Sequence, residues 1–159
     1  MLTLHKDDSR LDDVCAAAES ACNGISGSHE WPVVVHPHFA VFKARGGSSV
    51  FGTTYALYLR DIDTIFVNSA NFFALADDLK TAVLIHEVGH AYLHATKSQD
   101  TDCFAADIFA CEHGQEDSIV KERSSLGDGY VDALALRGSP AAAREAFGVW
   151  FNQKRVGLI

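Results

Sequence analysis

The sequence predicts an α+β domain: a short antiparallel sheet packed on one long helix, with further helices toward the C-terminus. Two observations carry this. Strand-like runs rich in β-branched and aromatic residues end near residue 69. From residue 77 onward, apolar residues recur at helical spacing almost to the end of the chain. A chain of 159 residues suits one domain with a substantial core, so residues 1–159 are read as a single unit.

Residues 9–23 form the first expected helix. Leu11, Val14, Cys15, Ala18 and Cys22 recur on one buried stripe, and Asn23-Gly24 stops it. Both cysteines read as core thiols on that stripe. Residues 31–42 are a β region interrupted by Pro37, which suits an edge strand or a bend. His36 and His38 share a face there and read as solvated strand positions. Residues 44–49 are a flexible turn.

Residues 55–60 and 64–68 flank Asp61-Ile62-Asp63 as a hairpin. Asp77 and Asp78 favour a helix N-terminus, so the long helix runs from there to about Ala95. Residues 101–112 form the next helix, with Phe104, Ile108 and Cys111 on one side and His113-Gly114 closing it. A short charged helix over 115–126 precedes a turn at Gly127-Asp128-Gly129. Residues 130–137 are helical, and Ser139-Pro140 opens a last helix over 141–154.

Composition excludes some partners. The net charge of −8 disfavours nucleic acid and anionic membranes. No apolar run approaches a membrane span, and the first residues lead into charge instead of a signal-like apolar stretch. Four cysteines then read as reduced thiols, and the default expectation is a cytoplasmic enzyme.

The chemistry concentrates in His86-Glu87-Val88-Gly89-His90. Histidines at i and i+4 project from one helix face and can grip one metal ion. Glu87 lies beside the open side of such a metal, where a carboxylate can take a proton from water. With 8 His in the chain, this pattern arises by chance only about 0.02 times. Ala82, Val83, Leu84, Ile85, Val88, Ala91 and Leu93 make the helix apolar nearly all round, as in a core element. Burying two imidazoles and a carboxylate there is costly unless they are paired or bind a metal. The expected cofactor is therefore Zn²⁺. His94 extends the same face, but near the helix end its usual role is hydrogen bonding.

A catalytic zinc takes three protein ligands and a water, and residues 102–107 are the nearest source of the third. The order of strand, hairpin, HExxH helix, loop and a helix reading Cys103-Phe-Ala-Ala-Asp-Ile-Phe-Ala110 resembles the compact zinc peptidases of the gluzincin kind, including ImmA/IrrE-type proteins. The resemblance covers roughly residues 55–114. It implies a zincin-like fold, hydrolysis of a peptide or protein substrate with Glu87 as general base, and docking of that substrate along an edge strand, here 55–59 or 65–69. In that family the second helix carries Glu-x-x-Ala-(Asp/Asn)-x-(Phe/Tyr)-Ala, with Glu as the third ligand. Ala106, Asp107, Phe109 and Ala110 match, and Cys103 stands where the Glu is expected.

Two histidines and a cysteine form a sound zinc set, although thiolate blunts the metal's Lewis acidity. Asp107 matches the family's acid that orients a ligand histidine, and is itself the alternative ligand. Asp102, Glu112, His113 and Asp128 complete the candidates, the last within a stretch that echoes the same pattern up to Asp132. Tyr130 and His113 are candidate partners behind the ligands or donors to an oxyanion. The rival to a peptidase is a zincin-like binding or regulatory module, and after it a zinc amidohydrolase acting on a non-peptide amide.

Overall fold

The computed structural model describes residues 1–36 and 55–157. Strands β1 (Leu2–Lys6), β2 (His29–His36), β3 (Ala56–Leu59) and β4 (Thr64–Asn68) form one sheet in the order β1-β2-β4-β3. Helices α1 (Asp12–Ala21), α2 (Asp77–Ala95), α3 (Cys103–Ala110), α4 (Glu116–Arg123), α5 (Asp128–Ala135) and α6 (Pro140–Arg155) complete the described α+β fold. No helix among the described residues is long and apolar enough to cross a membrane.

The sheet corrects one expectation, because it is mixed instead of antiparallel. β1 pairs with β2 and β2 with β4 in parallel, and only β3 and β4 form the expected antiparallel hairpin. The cause is α1, which fills the β1–β2 connection with a crossover long enough to bring the chain back in the same direction. β1 itself has a weak local signature: Leu2 and Leu4 alternate with Thr3 and His5 over a very short run. β2 lies inside the sheet, not at an edge. It tolerates Pro32 because the ladder to β4 begins only at Val33. Pro37, His38 and the expected turn at 44–49 lie outside the described residues.

Register places the apolar side chains on one face. Leu4 stands opposite Trp31, Val33 opposite Ile65, and Tyr58 opposite Ile65 from the other side, all buried. Leu11 just before α1, Val14 and Ala18 within it, and Leu84, Ile85 and Val88 of α2 join them in one core. The hairpin turns through Asp63, whose backbone is left-handed (φ 49°). Its carboxylate accepts hydrogen bonds from Trp31 Nε1 at 3.0 Å and the Tyr58 hydroxyl at 2.5 Å, tying β2 to β3.

Helix α2 begins at Asp77 and ends at Ala95, as its charge pattern implies. Its contact with α3 depends on Gly89. A Cβ there would stand 3.0–3.2 Å from Phe109 atoms, tighter than ordinary packing. Gly89→Val should therefore lower stability by about 1–3 kcal/mol, because overpacking outweighs the helix propensity gained over glycine. Urea unfolding measures this, and an unchanged midpoint would mean that Phe109 yields freely.

Helix α3 closes at His113 and Gly114, where Gly114 (φ 86°) takes a backbone that L-residues resist. Gly127 alone (φ 101°) makes the later turn, since Asp128 and Gly129 already belong to α5. Pro140 opens α6, although the Ser139 side chain makes no capping bond. Trp150 of α6 donates to the Leu126 carbonyl at 3.0 Å, and Phe147 stacks on Phe104 with ring centroids 4.4 Å apart. These contacts fasten the C-terminal helix to α3 and to the turn before α5.

Candidate metal centre

Helix α2 buries His86 and Glu87 in its apolar body, at 6% and 7% exposure. His90 follows one turn later, its ring edge-on to His86 with centroids 4.8 Å apart. Each imidazole is held through Nδ1. His90 Nδ1 pairs with the Thr101 carbonyl at 2.9 Å, and His86 Nδ1 with Asp107 Oδ1 at 2.6 Å. A carbonyl only accepts, and a carboxylate accepts when ionised, so both Nδ1 atoms carry the hydrogen. In the neutral imidazole that arrangement leaves Nε2 with its lone pair for a metal. Burial and the neighbouring His86 push His90 below its ordinary pKa, which also favours neutral imidazole.

Cys103 opens α3 and brings Sγ to 3.6 Å from His90 Nε2. His86, His90 and Cys103 offer ligand atoms that all lie within 4.8 Å of one another, a group placed to hold a metal ion. The spacing suits the chemistry. Zinc bonds of about 2.0 Å to nitrogen and 2.3 Å to sulfur at tetrahedral angles imply an N···S separation of about 3.5 Å, close to that of His90 and Cys103.

Glu87 stands at the rim of this group. Its Oε2 accepts the Tyr58 backbone N–H at 2.8 Å, which fastens the helix to β3, and its Oε1 lies 4.0 Å from His86 Nε2. Burial raises the Glu87 carboxyl above its ordinary pKa, a shift toward the range in which a carboxylate serves as a general base.

Asp107 sits behind His86 and is wholly buried. Besides His86, its Oδ2 accepts Arg123 Nε at 2.9 Å and the Tyr130 hydroxyl at 2.5 Å, and its Oδ1 accepts Arg123 Nη2 at 3.2 Å. Burial alone would raise this carboxyl, but His86 and Arg123 outweigh it and hold the pKa well below the carboxylate range. Asp107 therefore stays ionised and acts through His86 instead of facing the cluster of donors. Burial and Asp107 push the Tyr130 hydroxyl well above its ordinary value, so it stays protonated and donates to Asp107.

The remaining candidates lie elsewhere. His113 Nδ1 pairs with the Phe109 carbonyl at 2.7 Å, and its ring stacks on Phe109. Asp102, Glu112 and Asp128 are exposed. Asp102 caps α3 by accepting the Ala105 N–H at 3.0 Å. His94 packs near the Tyr58 ring, and the group that could hold a metal among the described residues does not include it. Sequence reasoning missed Arg123, the Thr101 carbonyl and the Tyr58 amide. The last two are main-chain groups without a side-chain signature, and Arg123 reads as a cation suited to a helix C-terminus. Comparison of the chain with protein-family models, curated proteins and solved structures finds no match.

Proposed function

We propose that the chain is a zinc-dependent hydrolase, a metallopeptidase of zincin-like architecture with Glu87 as its general base. The observation that carries this reading is the His86, His90 and Cys103 donor group with the Glu87 carboxylate beside it. Two imidazoles and a thiolate suit zinc among the common divalent metals. When bound, zinc supplies a Lewis acid that polarises a scissile carbonyl and acidifies water.

The rest of the chemistry falls to the chain. Glu87 accepts a proton from the attacking water and returns it to the departing amine. Asp107 and Thr101 keep the imidazole lone pairs aimed at the ligand position. β3 is the edge of the described sheet, and Tyr58 turns its N–H away from β4 toward Glu87. By the alternation of an antiparallel ladder, Ala56 also turns its polar groups outward, and an extended peptide pairs there beside the base.

The second reading is a zincin-like binding module with little catalysis. Cys103 motivates it, because thiolate retains metal tightly while reducing Lewis acidity. Metal analysis of the purified protein, followed by a peptide-library cleavage assay before and after chelation, separates the two. One zinc per chain with chelator-sensitive cleavage supports the peptidase. One zinc without cleavage favours the module, and no zinc removes both.

Alkylation tests the third ligand. Cys15, Cys22 and Cys111 are buried, and burial pushes their thiols up to about 11, 12 and 12. They should react slowly with iodoacetamide in either state. Cys103 is only partly buried and should be protected by Zn²⁺ and modified quickly after chelation, as read by peptide mass mapping. Equal modification with and without zinc would remove Cys103 from the ligand set.

A further inference from the structure

We infer that Arg144, on the C-terminal helix, is a positioning residue for the metal centre, acting through the segment Asp100–Cys103. This inference rests on the proposed metal site. That short segment supplies two of the site's contacts, the Thr101 carbonyl that holds His90 Nδ1 and the Cys103 sulfur. Arg144 grips the segment from outside. Its Nη1 donates to Asp102 Oδ2 at 2.7 Å and its Nη2 to Asp102 Oδ1 at 3.2 Å, while its Nε lies 3.6 Å from Asp100 Oδ2.

The guanidinium is itself steadied. It lies 5.1 Å from the Phe104 ring centroid and 5.2 Å from that of Phe147, beside a stacked pair of rings that joins α3 to α6. Asp102 meanwhile accepts the Ala105 N–H, so one carboxylate joins the helix cap to the arginine. Cys103 is the next residue, and a small rotation of the Asp102 backbone would displace its sulfur from His90. An exposed ion pair contributes little to global stability. A forked, aromatic-backed pair beside a ligand instead restricts orientation, and partners behind a metal's ligands typically govern affinity by about 10–100-fold.

The test uses the full-length protein, stripped of metal and titrated with Co²⁺, which reports thiolate ligation through its charge-transfer absorption. Arg144→Met keeps the aliphatic stem over the rings and removes the grip. Asp102→Asn keeps a capping oxygen and loses the charge. Each should lower Co²⁺ affinity about 10-fold and weaken the thiolate band, and the double variant should lose no more than either single one. Arg144→Lys should recover part of the affinity, and the wild-type dependence on ionic strength should flatten in Arg144→Met.

Unchanged affinity and band in both single variants, with wild type binding normally, would overturn the positioning role alone. A loss matched by equal loss of helical circular dichroism would assign Arg144 to folding and overturn it too. Failure of the wild type to bind Co²⁺ or Zn²⁺ would overturn the metal site and this inference with it.

Discussion

Replacing Glu87 by glutamine should leave zinc content unchanged and lower turnover by about 10²–10⁴-fold. Glutamine is nearly isosteric, and its amide oxygen can still accept the Tyr58 N–H that holds the wild-type side chain. The helix, the strand and the donor group therefore stay where they are, and only the proton acceptor is lost. The measurement is the cleavage rate of whichever peptide the wild type cuts, alongside metal content and the thermal midpoint. A Glu87→Gln protein with wild-type turnover would transfer the base to another group. A protein that lost zinc or stability in step with activity would mean that Glu87 serves the structure first.

Arg123→Met should lower the stability of the metal-free protein by about 3–5 kcal/mol, the cost of stripping one partner from a buried ion pair. Asp107 has no exposed surface, and Arg123 supplies two of its hydrogen bonds and its compensating cation. Methionine fills much of the space but leaves the carboxylate facing His86 and Tyr130 alone. Asp107 would then hold His86 Nδ1 less firmly, and the imidazole would be aimed less well at the metal. Arg123→Lys restores the charge without the fork and should fall between. Urea unfolding and zinc competition read both effects. A loss below about 1 kcal/mol, the range of exposed pairs, would show that water reaches Asp107 and that the pair is not buried in solution.

Helix α2, the β3–β4 hairpin and the start of α3 were legible because their signals are local. Asp77 and Asp78 mark one helix start, Phe104, Ile108 and Cys111 trace the stripe of another, and the turn after Arg60 sits between two alternating runs. The parallel pairing was not legible. It joins Leu2 to His29 and Val33 to Ile65, and no feature of either segment announces its distant partner. The same distinction divides the site. His86, Glu87 and His90 belong to one helical turn, and Asp107 with Cys103 to the next helix. Arg123 lies sixteen residues from Asp107, beyond the kink at His113 and Gly114, so its role depends on tertiary structure.

The bond between Glu87 and the Tyr58 amide has a consequence for solubility. An edge strand with open amides is a template for adding further strands and hence for aggregation. β3 is the last strand of the described sheet, and a buried carboxylate from the neighbouring helix occupies its central N–H. One oxygen of the side chain thus withdraws the Tyr58 N–H from strand pairing, leaving Ala56 as the position where an extended peptide can pair, while the other faces the donor group. Glu87→Ala would remove both roles at once and free a second donor for unwanted strand pairing, whereas Glu87→Gln keeps that donor occupied.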